Sequence, residues 1–360
     1  MTSTTTPESE SNLTVRLASR PHGEPTAENF ALALESTPSP GENEVLLRTI
    51  YLSLDPYMRG RMSEAESYAE PVPVGGVMEG GTVCEVIASK TDMVDVGDIV
   101  LAHTGWQQYA VASDKAVRRL DPTRAPISTA LGVLGMPGFT AYAGLLLIGA
   151  PRPSETVVVA AAAGPVGSAV GQIAQLKGAR AVGIAGGPEK VAYVKNELGF
   201  EVALDHTAPD FVDSLAAATP EGIDVYFENV GGKVFDAVLP RMNEFGRIPV
   251  CGLVSQYNAT SLPDGPDRVP MLMSRILTKS LTVRGFIQRE FVRAHYRDFL
   301  EDVRGWLADG KIRYREDVVE GLENAPAAFL GMLRGENFGK LVVQVGDDPT
   351  TPPPATTASS

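Results

Sequence analysis

A short apolar run, Thr156-Val-Val-Val-Ala-Ala-Ala162, meets a helical pattern over residues 166–177 through a turn holding Gly164, Pro165, Val166 and Gly167. No other stretch restricts the fold of this chain so narrowly. Glycine is needed at such a junction because a β-carbon would hold the helix away from the strand and keep an anion off the backbone. The helix start then offers unpaired N–H groups and a partial positive charge. The turn departs from G-x-G-x-x-G at its start, where alanines rather than a glycine precede Gly164. Downstream, strands and helices alternate. Residues 181–185 read as a strand, 188–198 as a helix and 201–205 as a strand. Residues 223–229, 247–251 and 281–284 read as further strands, and 296–309 as a helix. Short β-branched strands separated by helices build right-handed βαβ units, so this part is α/β, a doubly wound parallel sheet of the Rossmann type. Such a sheet binds a dinucleotide at the carboxyl ends of its strands.

The first 130 or so residues have another texture. Glu44-Val-Leu-Leu-Arg-Thr-Ile-Tyr-Leu52, Gly81-Thr-Val-Cys-Glu-Val-Ile87 and Val94-Asp-Val-Gly-Asp-Ile-Val-Leu101 are short strands punctuated by Gly and Pro, as in a small barrel-like domain. The stretch 136–150 is expected to open with a turn, continue as an apolar helix and stop before Pro151. Two late strands, 314–320 and 339–345, have no place in the parallel sheet and are expected to return to the N-terminal β-rich part. The expected division is a disordered lead-in over 1–12, a β-rich domain over 13–136 with 312–346, a dinucleotide-binding domain over 137–311, and a disordered tail over 347–360.

A formal charge of −13 excludes nucleic acid as the main partner, since a phosphate-backbone surface must be basic. No apolar run reaches membrane-spanning length, and the N-terminal segment has neither the basic nor the apolar part of a signal peptide. Two cysteines, Cys84 and Cys251, are too few for a disulfide framework and lack zinc-site spacing; they read as reduced thiols of a cytoplasmic protein.

The kind of dinucleotide turns on the end of the second strand. An acid there bonds the ribose hydroxyls of NAD and repels a 2′-phosphate. This chain has Gly186 and Gly187 instead, followed by Lys190 one turn into the next helix, where its ammonium and the helix dipole both favour an anion. The cofactor read from this arrangement is NADPH.

The remaining motifs resemble a known family. Leu54-Asp-Pro-Tyr-Met-Arg-Gly-Arg-Met62, Gly135-Met-Pro-Gly-Phe-Thr-Ala-Tyr142, the Ala-Ala-Ala-Gly-Pro-Val-Gly turn, Phe227-Glu-Asn-Val-Gly-Gly232, Cys251-Gly-Leu-Val-Ser-Gln-Tyr-Asn258 and Asn337-Phe-Gly-Lys340 are similar to those of the zinc-free, NADPH-dependent double-bond reductases of the medium-chain dehydrogenase/reductase superfamily. The resemblance runs over about residues 17–345. It implies a GroES-like catalytic domain beside the Rossmann domain, a homodimer and hydride transfer to the β-carbon of an enone or enal. It also implies that Lys190 meets the 2′-phosphate and Asn337 the nicotinamide half. His206 stands where many members have a tyrosine near the cofactor, and Asn229 belongs to the same crevice. Zinc-dependent relatives ligate metal in regions where this chain has Asp55-Pro-Tyr57 and Gly76-Val-Met-Glu79, so no metal is expected.

Hydride addition to a conjugated C=C bond makes an enolate, whose oxygen must be stabilised before a proton is delivered. The resemblance puts Tyr257 at the substrate as the oxyanion donor and Tyr57 opposite it as a second donor or positioning group. A tyrosine hydroxyl, with an ordinary pKa near 10, suits both. Arg59 reads as a structural partner of Asp55 or another acid, and His103 and His295 as isolated. Cys251 has no base nearby in sequence and is not read as a nucleophile. Substrate specificity is assigned to loops 63–74 and 261–273, with Arg268 or Met271 at the pocket. Two other readings stand beside this one. A zinc-free quinone reductase of the same superfamily would favour quinones over enones, and a non-catalytic NADPH-binding redox sensor would bind the nucleotide without oxidising it.

Overall fold

The computed structural model describes residues 11–262 and 265–351. Most of the expected lead-in and the last nine residues of the expected tail lie outside them, while Ser11 and Asn12 already belong to the first strand, Ser11–Leu17.

The parallel sheet has six strands: β1 (Thr156–Ala160), β2 (Arg180–Ala185), β3 (Val202–Asp205), β4 (Ile223–Phe227), β5 (Met242–Val250) and β6 (Thr282–Gly285). Their order is β3-β2-β1-β4-β5-β6, with every pairing parallel. This is the doubly wound order, and the direction of winding reverses between β1 and β4. Helix α1 (Pro165–Leu176) follows β1, α2 (Pro188–Asn196) follows β2, and α3 (Val292–Ala308) comes after β6.

The continuous apolar run of β1 reflects burial on both faces. Val157 and Val159 pack with Phe139, Val170 and Ile173, while Val158 and Ala160 pack with Leu215, Val238 and Ile248. Gly171 on α1 is required by this packing, because a β-carbon there would stand 1.9 Å from Cζ of Phe200.

The segment 136–150 differs from its expected form. It is α-helical from Met136 to Ala143, with Pro137 in the first turn, and then widens over Gly144–Gly149, where the Ala150 N–H donates to Leu145 O at 2.6 Å. Two rings account for the change. A β-carbon on Gly144 would lie 2.4 Å from Cζ of Phe286 and 2.7 Å from Cε2 of Phe227, so those rings occupy the space beside the backbone.

The other large sheet has seven strands and forms the GroES-like part. Its long central strand, Glu44–Ser53, pairs antiparallel with Thr82–Ser89, Tyr109–Ser113 and Lys340–Gln344. Glu316–Glu320 lies parallel to Lys340–Gln344 at the edge, so the last two strands of the described residues complete a sheet that begins at Glu44. Trp106 fills its core, stacked on Phe30 with ring centroids 5.7 Å apart and met edge-on by Phe329.

Candidate active site

The carboxyl ends of β1, β4 and β5 lie side by side at the winding reversal, the place where a parallel sheet of this kind receives a dinucleotide. Gly164 caps α1, Pro165 and Val166 form its first turn, and Gly167 lies against the strand end, where a β-carbon would be 2.3 Å from Ala161 O. Ala161 takes up the left-handed backbone conformation at φ 53°, the bend a glycine would make freely. Across the reversal, Asn229 Nδ2 donates to Ala160 O at 2.8 Å and ties the β4 end to the β1 end.

At the end of β2, Gly187 adopts φ 85° and caps α2. Its N–H donates to Asp205 Oδ1 at 3.1 Å, and the same oxygen accepts from the Thr207 amide at 2.9 Å. Gly186 lies beneath His206: a β-carbon there would stand 3.0 Å from His206 Nε2. Lys190 is half-buried rather than fully solvated, and its Nζ donates to Gly335 O at 2.6 Å. Burial draws its pKa below the ordinary lysine value, with Asp317 opposing. Gly335 is two residues before Asn337, whose Nδ2 donates to Gly339 O at 3.0 Å. The loop carrying Asn337 and the helix carrying Lys190 are therefore joined directly.

On the far side, Tyr57 opens the short helix Met58–Arg61. Arg59 does not pair with Asp55, as the sequence suggested. Its Nε donates to Asn258 Oδ1 at 3.0 Å and its Nη2 to Gly23 O at 2.7 Å. Asp55 belongs instead to Lys340, whose Nζ lies 2.7 Å from Oδ1 and 2.8 Å from Leu54 O, both side chains being buried. The Arg59–Asn258 bond stitches the Asp-Pro-Tyr-Met-Arg segment to the Ser-Gln-Tyr-Asn segment, and so brings the neighbourhoods of Tyr57 and Tyr257 together.

Both phenols are held neutral. Burial, then Asp55 and Glu79, push Tyr57 far above its ordinary value. Burial pushes Tyr257 up, with Cys251 and Tyr68 adding and the Leu253 backbone opposing. The Cys251 thiol is raised to about 12 by burial and Glu228, which makes it a poor nucleophile.

Several contributors were not legible beforehand. Tyr68 acts electrostatically on both Tyr57 and Tyr257, and the Arg61 guanidinium sits 4.5 Å from its ring centre. Arg61 also donates to Ser67 Oγ and Ala69 O at 3.1 and 2.7 Å, pinning the loop in which Tyr68 lies. Glu228 accepts from the amides of Val230 and Gly231 at 2.6 and 2.8 Å and shapes the turn after β4. The only sequence signal for these residues was adjacency to a motif. Arg268 pairs with Asp236 and caps the helix Val269–Thr278, so part of the expected specificity loop is helical; residues 263–264 of that loop lie outside the described residues.

Comparison with known proteins decides the family. Residues 14–120 match the family described as the N-terminal domain of oxidoreductase, and residues 165–304 match the zinc-binding dehydrogenase family. NADPH-dependent curcumin reductase of Escherichia coli (strain K12) is 57% identical over 334 residues, covering 92% of this chain and 96% of that protein. The chain belongs to the NADPH-dependent double-bond reductases of the medium-chain dehydrogenase/reductase superfamily. Prostaglandin reductase 1 of Rattus norvegicus is 44% identical over 89% of this reductase and 95% of its own length. The structure of CurA in complex with NADPH from Vibrio vulnificus superposes with a TM-score of 0.91 at 57% identity, covering 93% of this reductase and 100% of that chain. In this reductase, Asp55 and Glu79 belong to the two segments expected to correspond to the metal-binding regions of zinc-dependent relatives. Each is already held by a cation: Asp55 by Lys340, and Glu79 by the buried Arg61 at 3.1 Å.

Proposed function

We propose that this reductase uses NADPH to reduce the C=C bond of α,β-unsaturated carbonyl compounds, enones and enals among them. The observation that carries the reading is the Arg59–Asn258 bond, which joins the segment holding Tyr57 to the segment holding Tyr257. The crevice fits the cofactor: Gly167 and the α1 start leave the backbone open to a pyrophosphate, and Gly186, Lys190 and His206 surround the place for a 2′-phosphate. Asn229 and Asn337 line the remainder. NADPH supplies the hydride that forms the new C–H bond at the β-carbon.

As that bond forms, the alkene electrons shift toward the carbonyl and its oxygen becomes negative. Tyr257 donates its hydroxyl hydrogen bond to that oxygen, and Tyr57 donates a second bond or holds the carbonyl in line. A proton from water, or from a tyrosine hydroxyl that water then reprotonates, reaches the α-carbon and completes the saturated ketone or aldehyde. Both phenols keep their protons at neutral pH because burial opposes their ionisation.

Lys190 supplies the cofactor test. A charge-assisted bond to phosphate is worth about 1.5–3 kcal/mol, so Lys190→Ala should raise KM for NADPH by roughly 10–100-fold. KM for NADH should stay the same, as measured by oxidation at the dinucleotide absorbance band with a small enone. Equal sensitivity to both nucleotides would remove Lys190 from phosphate recognition.

We further propose a homodimer in the cytoplasm. Among the described residues, strand β6 pairs with β5 alone and is exposed along its length, while the adjoining helix Val269–Thr278 exposes Met273 and Leu277. A free edge beside apolar side chains is a pairing surface for a second copy. Val283→Asp should convert the sedimenting species from dimer to monomer; a wild-type monomer at micromolar concentration would refute this arrangement. Both cysteines are free, in keeping with a reducing compartment.

A further inference from the structure

A cavity of about 710 Å³ has none of the candidate site residues in its wall. Four arginines line it: Arg124, Arg304, Arg313 and Arg315. Glu197 is the one carboxylate in its wall. In a chain of formal charge −13, this concentration of cations is out of keeping with the whole.

The arginines are poorly compensated. Arg124 pairs with Asp121, but Arg304, Arg313 and Arg315 make no ion pair among the described residues. The Arg313 guanidinium donates to the Glu197 backbone carbonyl, at 3.2 Å, and Arg315 lies on the Phe338 ring, 3.8 Å from its centre. Arg304 Nε is buried without any hydrogen-bond partner. A buried, unpaired donor on a cation costs free energy until an acceptor meets it.

The rest of the wall is apolar or aromatic. Leu134, Leu307 and Ile312 form one part, and the rings of Tyr193 and Tyr314 another. The volume lies in the range of small-molecule sites, about 300–1,000 Å³. We propose that this cavity binds a nucleoside diphosphate, its phosphates on the arginines and its base against the tyrosines and aliphatic side chains. Guanidinium forks match phosphate oxygens in pairs, and a ring adds stacking that a bare anion lacks.

The position gives such a ligand leverage. The cavity is bounded by 124–134 and 312–315, the two stretches over which the chain passes between its sheets. Arg315 rests on Phe338, next to Asn337, and Tyr193 meets the same ring edge-on one helical turn beyond Lys190. A bound diphosphate would tie both crossings together behind the cofactor crevice.

Calorimetric titration of the full chain with ADP and with adenosine, each with and without saturating NADP⁺, tests the proposal. With NADP⁺ saturating the cofactor crevice, ADP should still bind one site per chain, and adenosine should bind at least roughly tenfold more weakly. Arg304→Gln/Arg313→Gln should weaken ADP by roughly tenfold or more, and Lys190→Ala should leave it unchanged. Arg124→Gln, at an exposed rim position, provides a variant with little risk to folding and should weaken ADP in the same direction. ADP binding that NADP⁺ abolishes, that adenosine equals, or that ignores the arginine variants would overturn it, as would no binding at all.

Discussion

Tyr257→Phe should lower kcat for enone reduction by roughly 10²–10³-fold, the usual cost of removing one oxyanion donor. KM for NADPH should stay within about threefold, because the ring remains and only the hydroxyl leaves. The hydroxyl sits against the turn that holds it: a β-carbon on Gly252 would be 3.1 Å from Tyr257 Oη. Burial is the largest influence on this phenol and favours the neutral donor. The alkaline fall in kcat should therefore lie above pH 10, where an unperturbed tyrosine would begin to ionise. Steady-state rates at saturating NADPH between pH 6 and 10.5, for both proteins, test the whole account. A Tyr257→Phe enzyme with near-normal kcat would shift the oxyanion role to Tyr57, and a fall in wild-type kcat centred below pH 10 would contradict the raised phenol.

Lys340→Met should cost about 3–5 kcal/mol of stability, the penalty for leaving one member of a buried ion pair alone. Lys340 is 3% exposed and Asp55 5% exposed, so the abandoned carboxylate would have no access to water. Leu54 O would lose its ammonium donor as well, leaving two acceptors stranded. Ser53 Oγ, which donates to the other carboxylate oxygen, would be the remaining side-chain partner of Asp55. The urea midpoint should fall accordingly. Asp55→Asn placed on Lys340→Met should recover part of the loss, because the uncompensated charge disappears. If the single variant unfolds at the wild-type midpoint, the pair is not buried as described. Activity should fall with stability in the single variant, since Asp55 leads directly into the turn that carries Tyr57 and its carbonyl accepts from the Met58 amide at 3.1 Å.

What could be read beforehand was local and periodic. The alternation of strands and helices, the glycine turn and the lysine after Gly187 each depend on neighbours within a few residues, and spacing reports those faithfully. Side-chain pairing across the fold left no such trace. Arg59 meets Asn258 and Lys340 meets Asp55 over separations of 199 and 285 residues, so the nearest acid in sequence was the wrong partner for Arg59. The helix Val269–Thr278 was hidden for a different reason. It fully buries no residue: only Leu272 and Ile276 pack against the core, and both stay partly exposed, while Val269, Met271, Met273 and Leu277 face outward. The widened turn at Gly144–Gly149 depends on two distant phenylalanines and could not be seen in the apolar run itself.

The strand Glu44–Ser53 finds one of its partners in Lys340–Gln344, close to the far end of the chain. On a translating ribosome, at about 5–20 residues per second, that partner emerges roughly 15–60 s later. The parallel sheet, whose strands are all complete by Gly285, is available to form first. During the wait one flank of the early strand is an open template for any passing extended segment. Its neighbours Thr82–Ser89 and Tyr109–Ser113 can pair with it meanwhile, and the early half must hold in that incomplete form until the final strand closes it.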